Sequence, residues 1–410
     1  MGMPESELSR RGFLTAATGF IAAGLTSTIK ADDRISIEDR KPETPVKPII
    51  YRTLGKTGLK LPIIGMGVMN AAVPEVVAAS YDKGVRLFET SESYQMGRNQ
   101  EMVGNVIKRL GIRDKVIIGT KVELPRDWPA MRPAQIRKTI INKAESCLKQ
   151  LQMDYVDIFY IHSVSETAQV KNQFFKEAMT TLKEQNKIRF AGVTTHSEMA
   201  QVLNEAAADG FYDVVEAMIN FALSSDKQLF EAIQNAAAVG VGIVAMKAFW
   251  GSPEKLNSEN AAWIKEHMTA TIASASLKWV MRNKNITVNI PGYTNFEHMK
   301  QDFAVARDLE YTEPERRFLE EQGARLGFDF CRQCRRCLAT CPHDVEIPTL
   351  MRTYMYAAQY GNLLQARTTL DEIPTKNSIH ACLSCETCSA RCANDVNIAR
   401  RIDFLKLTYC

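Results

Sequence analysis

The spacing of the cysteines limits what this chain can fold into more than any other feature of its sequence. Eight of the 10 cysteines fall into two runs near the C-terminus, and both runs follow the pattern Cys-x2-Cys-x2-Cys-x3-Cys. The runs are Cys331, Cys334, Cys337 and Cys341, followed by Cys382, Cys385, Cys388 and Cys392. Cysteines three residues apart on a tight turn can direct their sulfurs into one concavity, as a [4Fe–4S] cluster requires. The repeated spacing therefore predicts two [4Fe–4S] clusters.

The fourth cysteine of each run determines how the two clusters share their ligands. In bacterial two-cluster proteins with this spacing, that cysteine ligates the cluster of the other run. The predicted ligand sets are Cys331, Cys334, Cys337 and Cys392 for one cluster, and Cys382, Cys385, Cys388 and Cys341 for the other. Zinc and disulfide bonds are the alternatives, but neither explains why the same run occurs twice. The second run departs from the bacterial pattern at one position. Ala393 follows its last cysteine, whereas Pro342 follows the last cysteine of the first run.

A pair of arginines near the N-terminus predicts export. The segment Ser9-Arg10-Arg11-Gly12-Phe13-Leu14 precedes a weakly apolar run that is too short to span a membrane. This pattern resembles the signal read by the twin-arginine translocase, so residues 1–31 are predicted to be a signal and 32–48 a linker. An accidental arginine pair and an uncleaved anchor are the alternatives. Because that translocase carries folded, cofactor-loaded proteins, a periplasmic or otherwise exported location is compatible with the predicted clusters.

Composition and charge exclude two classes of protein. Hydrophobic residues make up 45% of the chain and charged residues 24%, as in globular proteins. The formal net charge of +4 is too small to indicate nucleic-acid binding. No stretch reaches the roughly 18 uninterrupted apolar residues of a membrane-spanning helix. The length of 410 residues predicts two or three domains.

Residues 49–310 alternate short β-branched runs with helical patterns such as Pro133–Leu151 and Asn295–Arg307. Eight βα units in about 250 residues predict an α/β fold of the (β/α)8, or TIM, barrel type. A hairpin at Tyr51–Leu61 is expected to plug the bottom of the barrel. The predicted strands are Ile63–Gly67, Val85–Glu89, Val116–Lys121, Tyr155–His162, Arg189–Val193, Val214–Ile219, Gly242–Ala245 and Ile286–Pro291.

Polar residues at the ends of three predicted strands indicate a proton-transfer site. Glu89, Lys121 and His162 each end a strand, and Tyr94 follows Glu89 by five residues. Such a barrel carries its chemistry at the carboxyl ends of the strands. We expect the Lys121 ammonium to lower the pKa of Tyr94, the carboxylate to hold Lys121 charged, and His162 to orient a substrate carbonyl. Taken singly, each residue is more often structural or solvated, and it is their joint occurrence that favours catalysis.

The middle of the chain resembles the aldo/keto reductases. The resemblance lies in the hairpin, in Phe88-Glu89-Thr90-Ser91-Glu92-Ser93-Tyr94, in Asp154–Asp157 leading to His162, in Gly192–His196, and in Ile290-Pro291-Gly292. It implies a catalytic tetrad of Glu89, Tyr94, Lys121 and His162, and a nicotinamide cofactor, NAD(H) or NADP(H). The cofactor contacts implied by the resemblance are Thr194, Thr195, Met246, Lys247, Gly292 and His298.

The chain departs from the pattern of that family at four positions. Glu89 stands where the family usually has Asp, and Met246 stands where a Tyr usually stacks on nicotinamide. Gly292 and His298 replace the Lys and Arg that usually bind the NADP 2′-phosphate. These changes leave the cofactor preference open. Lys247, next to Met246, is either a contact for an anionic group or a surface charge.

The segment around the cysteines resembles the α-helical dicluster ferredoxin domains of succinate-dehydrogenase-type iron–sulfur subunits. Helical patterns at Ile347–Gly361 and Leu363–Leu370 lie between the two runs. Residues 311–410 are therefore predicted to form a small α-helical dicluster ferredoxin-like domain after the barrel. Arg332, Arg335, Arg336 and Arg391 lie among the ligands. They either neutralise anionic clusters or dock an acidic redox partner.

The leading hypothesis is an exported iron–sulfur oxidoreductase that acts on a small-molecule carbonyl or alcohol and exchanges electrons with an unknown redox partner. The alternative is an electron-transfer protein whose barrel is a scaffold. Nicotinamide moves two electrons at once, whereas each cluster takes one. A flavin usually links such steps, and although the sequence has no flavin fingerprint, a flavin is left open.

Overall fold

The computed structural model describes residues 47–125, 127–249, 269–322 and 330–410. The predicted signal at 1–31, and the predicted linker up to residue 46, lie outside the described residues. In the part of the chain that is described, no helix is both long enough and apolar enough to cross a membrane.

Eight parallel strands form a barrel, which confirms the predicted fold class. A two-stranded antiparallel hairpin precedes them. The hairpin strands are β1 (Tyr51–Thr53) and β2 (Lys60–Pro62), and the barrel strands are β3 (Met66–Gly67), β4 (Leu87–Glu89), β5 (Ile117–Val122), β6 (Val156–Ile161), β7 (Ile188–Thr195), β8 (Val214–Met218), β9 (Gly242–Met246) and β10 (Val288–Asn289).

The barrel strands pair in sequence order from β3 to β10. A single bridge between Ile64 and Asn289 joins the first strand to the last, and the Gly65 N–H donates to the Asn289 carbonyl at 2.8 Å. This contact is an isolated bridge and not a continuous β-ladder between β3 and β10. Both strands have only two residues, which is shorter than the sequence pattern predicts.

Helices connect the strands and cover the outside of the barrel. The longest helix among the described residues runs from Pro133 to Leu151, as predicted, with a proline in its first turn and Gln152 in the left-handed region after its end. The helices around the barrel are α1 (Pro74–Lys83), α2 (Arg98–Leu110), α3 (Pro133–Leu151), α4 (Thr167–Val170), α5 (Gln173–Glu184), α6 (Met199–Asp209), α7 (Lys227–Ala238), α8 (Thr269–Arg282), α9 (Phe296–Ala304) and α10 (Glu313–Arg317).

The hairpin lies at the amino-terminal end of the barrel. The Lys56 N–H donates to the Gly240 carbonyl just before β9, and Leu54 is fully buried. Gly55 has φ +49°, and a Cβ there would lie 2.3 Å from the Gly240 oxygen. The close approach therefore requires glycine, and the hairpin closes the end of the barrel opposite the predicted site.

The C-terminal region packs on the barrel through a shared core. Phe330, Met355, Tyr356 and Ala366 belong to the same apolar cluster as the barrel residues. By its contacts, 47–410 is a single compact unit. The predicted helix Ile347–Gly361 is divided, because its α-helical part ends at Tyr354 and a π-helical turn follows at Met355–Gln359. The helices here are α11 (Ile347–Tyr354), α12 (Leu363–Asp371) and α13 (Ile398–Tyr409).

Gly104 lies where α2 closely approaches the end of α3. A Cβ at Gly104 would lie 2.2 Å from the Leu151 carbonyl oxygen. At an exposed position within a helix, replacing Gly by Ala stabilises the folded protein by about 1 kcal/mol. We predict that Gly104→Ala instead destabilises the protein by about 1–3 kcal/mol, because the helices must move apart. Thermal unfolding followed by circular dichroism measures this. Glu101→Ala, at an exposed position of the same helix, is the control, and an unchanged or raised Tm for Gly104→Ala would contradict the prediction.

Candidate functional site

The buried ammonium of Lys121 lies at the carboxyl-terminal end of the barrel. Its Nζ is 3.2 Å from Glu89 Oε2 and 2.9 Å from Glu216 Oε2, and all three side chains are 1% exposed. The strands β4, β5 and β8 supply these residues, so the parallel sheet brings distant parts of the sequence together. Burial alone would lower the pKa of Lys121, but the two carboxylates outweigh it and raise that pKa. Lys121 is therefore a permanent cation.

Two strand glycines make room for the side chain of Glu89. A Cβ at Gly119 would lie 2.0 Å from Glu89 Oε1, and a Cβ at Gly192 would lie 2.5 Å from Tyr160 Cδ1. The Tyr160 hydroxyl in turn donates to Glu89 Oε1 at 3.0 Å. Glu89, which is one methylene longer than the usual Asp, therefore keeps its contact with Lys121.

Tyr94 lies beside this ionic group and is 8% exposed. The centroid of its ring is 5.9 Å from Lys121 Nζ and 6.4 Å from the ring centroid of His162. Burial raises the pKa of Tyr94 well above its ordinary value; Lys121 opposes this, while Glu216 and Tyr356 add to it. The structure thus differs from the expectation of a lowered pKa, because the sequence pattern reveals neither the depth of burial nor the second carboxylate.

His162 is a buried, uncharged imidazole. Burial lowers its pKa to about 3, and Lys121 adds to this effect. Its Nδ1 lies 3.0 Å from Glu123 Oε1, and burial raises the pKa of Glu123. A neutral imidazole can hydrogen-bond a carbonyl oxygen without taking the reacting proton, which is compatible with an orienting role.

Sequence reasoning missed Glu216. The residue interrupts the otherwise apolar strand β8, whose five residues are all buried. A charged residue is rarely buried without a partner, so a carboxylate inside such a run was a usable signal. The other three residues of the site stand at or just after the ends of strands, whereas Glu216 lies within one.

A cavity of about 890 Å³ opens above the Lys121 group, with Tyr94, Glu89 and Glu216 also in its lining. Its volume falls in the range typical of small-molecule sites. Four of the predicted cofactor contacts line this cavity, namely Met246, Lys247, Gly292 and His298.

Thr194 and Thr195 are not among the described residues that line the cavity. Both are fully buried. The Thr194 hydroxyl accepts a hydrogen bond from the Ser163 N–H at 3.0 Å, and the Thr195 hydroxyl donates to the Ser197 carbonyl at 2.6 Å. Their side chains bind the protein backbone, so the structure does not bring these two predicted contacts to the cavity.

The C-terminal region forms one wall of the cavity. Residues 360–364 are part of its lining. The Asn362 amide donates to Asn70 Oδ1 at 2.8 Å, and the Tyr360 hydroxyl donates to the Phe249 carbonyl at 3.4 Å. The cysteine-bearing region and the barrel therefore build a single site.

Two cations, one of them lining the cavity, connect the C-terminal region to the strand ends. Lys247 Nζ lies 4.8 Å from the centroid of the Tyr356 ring. Arg352 pairs with Glu372 and donates to the Ser163 hydroxyl at 3.4 Å, next to His162. Lys247 and Ser163 both have φ +57°, a left-handed conformation that is uncommon for residues other than glycine.

The first group of thiols combines both cysteine runs. Burial raises the pKa of Cys331 to about 12, and the nearby thiols of Cys337 and Cys392 add to the increase. The Asn394 N–H donates to Cys392 Sγ at 3.3 Å, and the Asn394 amide donates to Cys334 Sγ at 3.8 Å. Three cysteines of the first run thus lie beside the last cysteine of the second.

The second group has the reciprocal composition. Cys341, Cys382, Cys385 and Cys388 line one small cavity. Burial raises the pKa of Cys382 to about 11, with contributions from the other three thiols. The fourth cysteine of the first run therefore lies with the first three of the second.

These two groups fit [4Fe–4S] clusters better than they fit a single ion. All ten cysteines are free thiols. Among the described residues, no three Cys, His, Asp or Glu side chains converge closely enough to hold one metal ion. In the second group, four thiols around one small cavity match the four iron corners of a cluster.

Backbone conformation between the cysteines produces this arrangement. Gln333 and Arg335, which lie between the first three cysteines, have φ values of +56° and +58°. Asp344 and Asp395 each follow the fourth cysteine of a run by three residues, and both are left-handed. The two runs therefore end in the same kind of turn, although only the first continues with proline.

Two of the four arginines near the thiols have internal partners. Arg335 pairs with Glu346 through two contacts, of 3.0 and 3.1 Å. Arg391 donates to the carbonyls of Cys388 and Ala390, both at 3.0 Å. These contacts favour a structural role for both arginines over a docking role.

Comparisons with known proteins match two successive parts of the chain. The profile of the aldo/keto reductase family matches residues 65–318, and that of the 4Fe-4S dicluster domain matches residues 330–397.

Similar proteins include aldo-keto reductases and a dehydrogenase. Aldo-keto reductase YhdN of Bacillus subtilis is 32% identical over 167 residues, which are 36% of this chain and 47% of that protein. This chain thus matches about half the length of that relative. L-galactose dehydrogenase of Arabidopsis thaliana is 24% identical over 307 residues, 68% of this chain and 94% of that protein.

A solved aldo-keto reductase from Bacillus halodurans, in its holo form, shares the fold with a TM-score of 0.53 and 18% identity. The likeness covers 68% of this chain and 100% of that one. The family profile spans more than half of the 410 residues. The chain therefore belongs to the aldo/keto reductase family, and it is an oxidoreductase that carries a 4Fe-4S dicluster domain after its barrel.

Proposed function

We propose that this protein is an exported iron–sulfur oxidoreductase that reduces a small-molecule carbonyl or oxidises an alcohol, with electrons relayed through two [4Fe–4S] clusters. One observation carries the proposal. The cavity above Tyr94 and Lys121 has a wall made of residues 360–364, which lie between the two cysteine runs. A substrate in this cavity would contact both the proton-transfer residues and the cluster-binding region.

In this proposal, Tyr94 gives its proton to the carbonyl oxygen. Burial raises the pKa of Tyr94 well above its ordinary value, so the phenol keeps its proton throughout the neutral range and acts as a general acid. Lys121 provides a fixed positive charge that stabilises the phenolate formed at that moment. Glu89 holds Lys121 in place, and the neutral His162 orients the carbonyl.

The outer part of the cavity favours NAD(H) over NADP(H) as a nicotinamide cofactor. Glu297 lines it near Gly292 and His298. A carboxylate there would repel a 2′-phosphate. A bound nicotinamide would supply hydride, while clusters exchange single electrons, so a flavin remains the alternative link between the two.

We assign the clusters to the thiol groups described above, one to Cys331, Cys334, Cys337 and Cys392 and the other to Cys341, Cys382, Cys385 and Cys388. An unidentified redox partner would exchange electrons with them. We also propose twin-arginine export to the periplasm or beyond, because Arg10-Arg11 precedes an apolar run and the route suits a protein already loaded with cofactors.

A second candidate function is electron transfer with the barrel as a scaffold. The cavity supports it in one respect, since Thr194 and Thr195 bind backbone and are not part of the described lining. Gly292 and His298 also stand where the family usually has basic residues. In that case the site would bind no nicotinamide.

The two candidates differ in what they predict for Tyr94→Phe. Under the oxidoreductase proposal, this change removes the reacting proton and lowers carbonyl reduction by about 10²-fold or more. Assays should supply NADH, NADPH or a one-electron carrier in turn. Tyr212→Phe is the matched control, because it removes a buried hydroxyl that donates to the Val170 carbonyl. If Tyr94→Phe keeps full activity with every donor, or no nicotinamide binds, the scaffold function is favoured.

The crossed ligand sets can be tested by counting iron. Cys385→Ser, which removes one cluster, should leave about four iron atoms per chain. In that background, Cys392→Ser should remove most of the remaining iron, whereas Cys341→Ser should remove none, because its cluster is already lost. Iron and acid-labile sulfide analysis after anaerobic reconstitution gives the answer. The opposite pattern would show that each run binds its own cluster.

Export can be tested at the two signal arginines. Arg10→Lys with Arg11→Lys should leave the protein in the cytoplasm, because the translocase reads the pair itself and not its charge. The control is Arg34→Lys with Arg40→Lys, an equal exchange in the predicted linker. Fractionation and immunoblotting measure the result, and undiminished export of the first double variant would rule out this route.

A further inference from the structure

The barrel supplies part of the surroundings of the first thiol group, the group that contains Cys331. Phe330, which precedes Cys331 in the chain, is 4% exposed and belongs to the same apolar core as the barrel strands. Cys331 also lines a small cavity of about 20 Å³ together with three residues at or just after the ends of barrel strands, His196, Met218 and Lys247. Lys247 lines the large cavity as well. The first group therefore adjoins the catalytic end of the barrel.

The second thiol group, the group that contains Cys382, has different surroundings. Its four thiols line a separate small cavity. All the described residues that line this cavity lie between positions 341 and 406, in the C-terminal region. The two groups are thus not equivalent, because the described lining includes barrel residues beside the first group and none beside the second.

His196 lies between the first group and the catalytic residues. Its side chain follows β7 and is 5% exposed. The centroid of its ring is 6.0 Å from that of His162, and the His162 centroid is 6.4 Å from that of Tyr94. Tyr94 lines the large cavity, whereas His196 lines the small cavity beside Cys331. Three neighbouring rings therefore lead from the large cavity to the first group.

One nitrogen of His196 lacks a hydrogen-bond partner. Its Nδ1 is buried and unpartnered among the described residues, and an unsatisfied polar atom in the interior is destabilising. Nearby, the Gln333 amide donates to Cys331 Sγ at 3.3 Å and to the Pro348 carbonyl at 2.8 Å. A cluster bound by the first group would bring further sulfur acceptors to this side of the barrel. Hydrogen bonds to the sulfurs are among the interactions that set the reduction potential of a cluster.

We propose that the cluster of the first thiol group is the one that exchanges electrons with the large cavity, and that His196 is the contact of the barrel with that cluster. The order of the two clusters rests on the function proposed above. A carbonyl compound in the cavity receives two electrons, one at a time, from the first group. Two protons, one from Tyr94 and one from water, complete the alcohol. An external one-electron donor supplies the electrons, and those held by the second group reach the cavity through the first.

Redox titrations followed by electron paramagnetic resonance test the contact, on the full chain after anaerobic reconstitution. Cys385→Ser leaves the first cluster and Cys334→Ser leaves the second, so that each midpoint potential is measured alone. His196→Leu should lower the potential of the first cluster, because a hydrogen-bond donor stabilises the more negative, reduced form. The same change should leave the potential of the second cluster unaltered.

Three further substitutions separate loss of the donor from repacking. His196→Asn keeps an N–H donor and should retain most of the wild-type potential. Met218→Leu is the matched control, because it alters the lining of the same small cavity without removing a donor; neither potential should change. His196→Phe also lacks the donor, and it replaces His196→Leu if that variant does not fold.

NADH tests the order of the two clusters. Added at millimolar concentration to dithionite-reduced protein, NADH cannot reduce the clusters further. Bound in the large cavity, it should change the resonance spectrum of the first cluster and not that of the second, because the first group adjoins the cavity. A change confined to the second cluster would reverse the proposed order.

The contact is rejected if the variants without the donor leave the potential of the first cluster unchanged, or if they shift both potentials equally. These measurements need neither substrate nor nicotinamide. A lowered potential of the first cluster together with a fully active Tyr94→Phe would keep the contact of His196 and reject only the oxidoreductase mechanism.

Discussion

The ion pairs of Lys121 are the constraint on which the rest of the site depends. A buried ammonium without partners would cost several kcal/mol, so the barrel must deliver carboxylates to it from β4 and β8. One of these carboxylates, Glu89, in turn needs space and a hydrogen-bond donor. Glu89 needs the space left by Gly119 and the hydroxyl of Tyr160, and Tyr160 needs the space left by Gly192. Residues on five neighbouring strands, β4 to β8, thus take part in accommodating one cation.

The second feature that organises the molecule is the shared core of barrel and C-terminal region. Tyr356 and Met355 are buried in the same apolar cluster as the strands, and Tyr356 lies against Lys247. The cluster-binding region therefore helps to hold the strand ends, since Arg352 also reaches Ser163. Separate expression of the barrel would expose apolar surface and alter the electrostatics of its own cavity.

Sequence patterns predicted the features that depend on periodicity and spacing. The (β/α)8 barrel and the bounds of α3 were predicted from hydrophobic periodicity. The two groups of thiols were predicted from the spacing of the cysteines. The sequence could not reveal effects of burial. It predicted a lowered pKa for Tyr94, but desolvation raises that pKa. It also missed Glu216, which lies inside a strand, and it assigned Thr194 to the cavity although the hydroxyl binds backbone.

The space beside Gly119 has a consequence for how this site arose. A Cβ at position 119 would lie 2.0 Å from Glu89 Oε1. A lineage that acquired Glu at position 89 while a larger residue stood at 119 would have passed through a clash in the centre of its barrel. Glu89 in its present conformation therefore depends on glycine at 119.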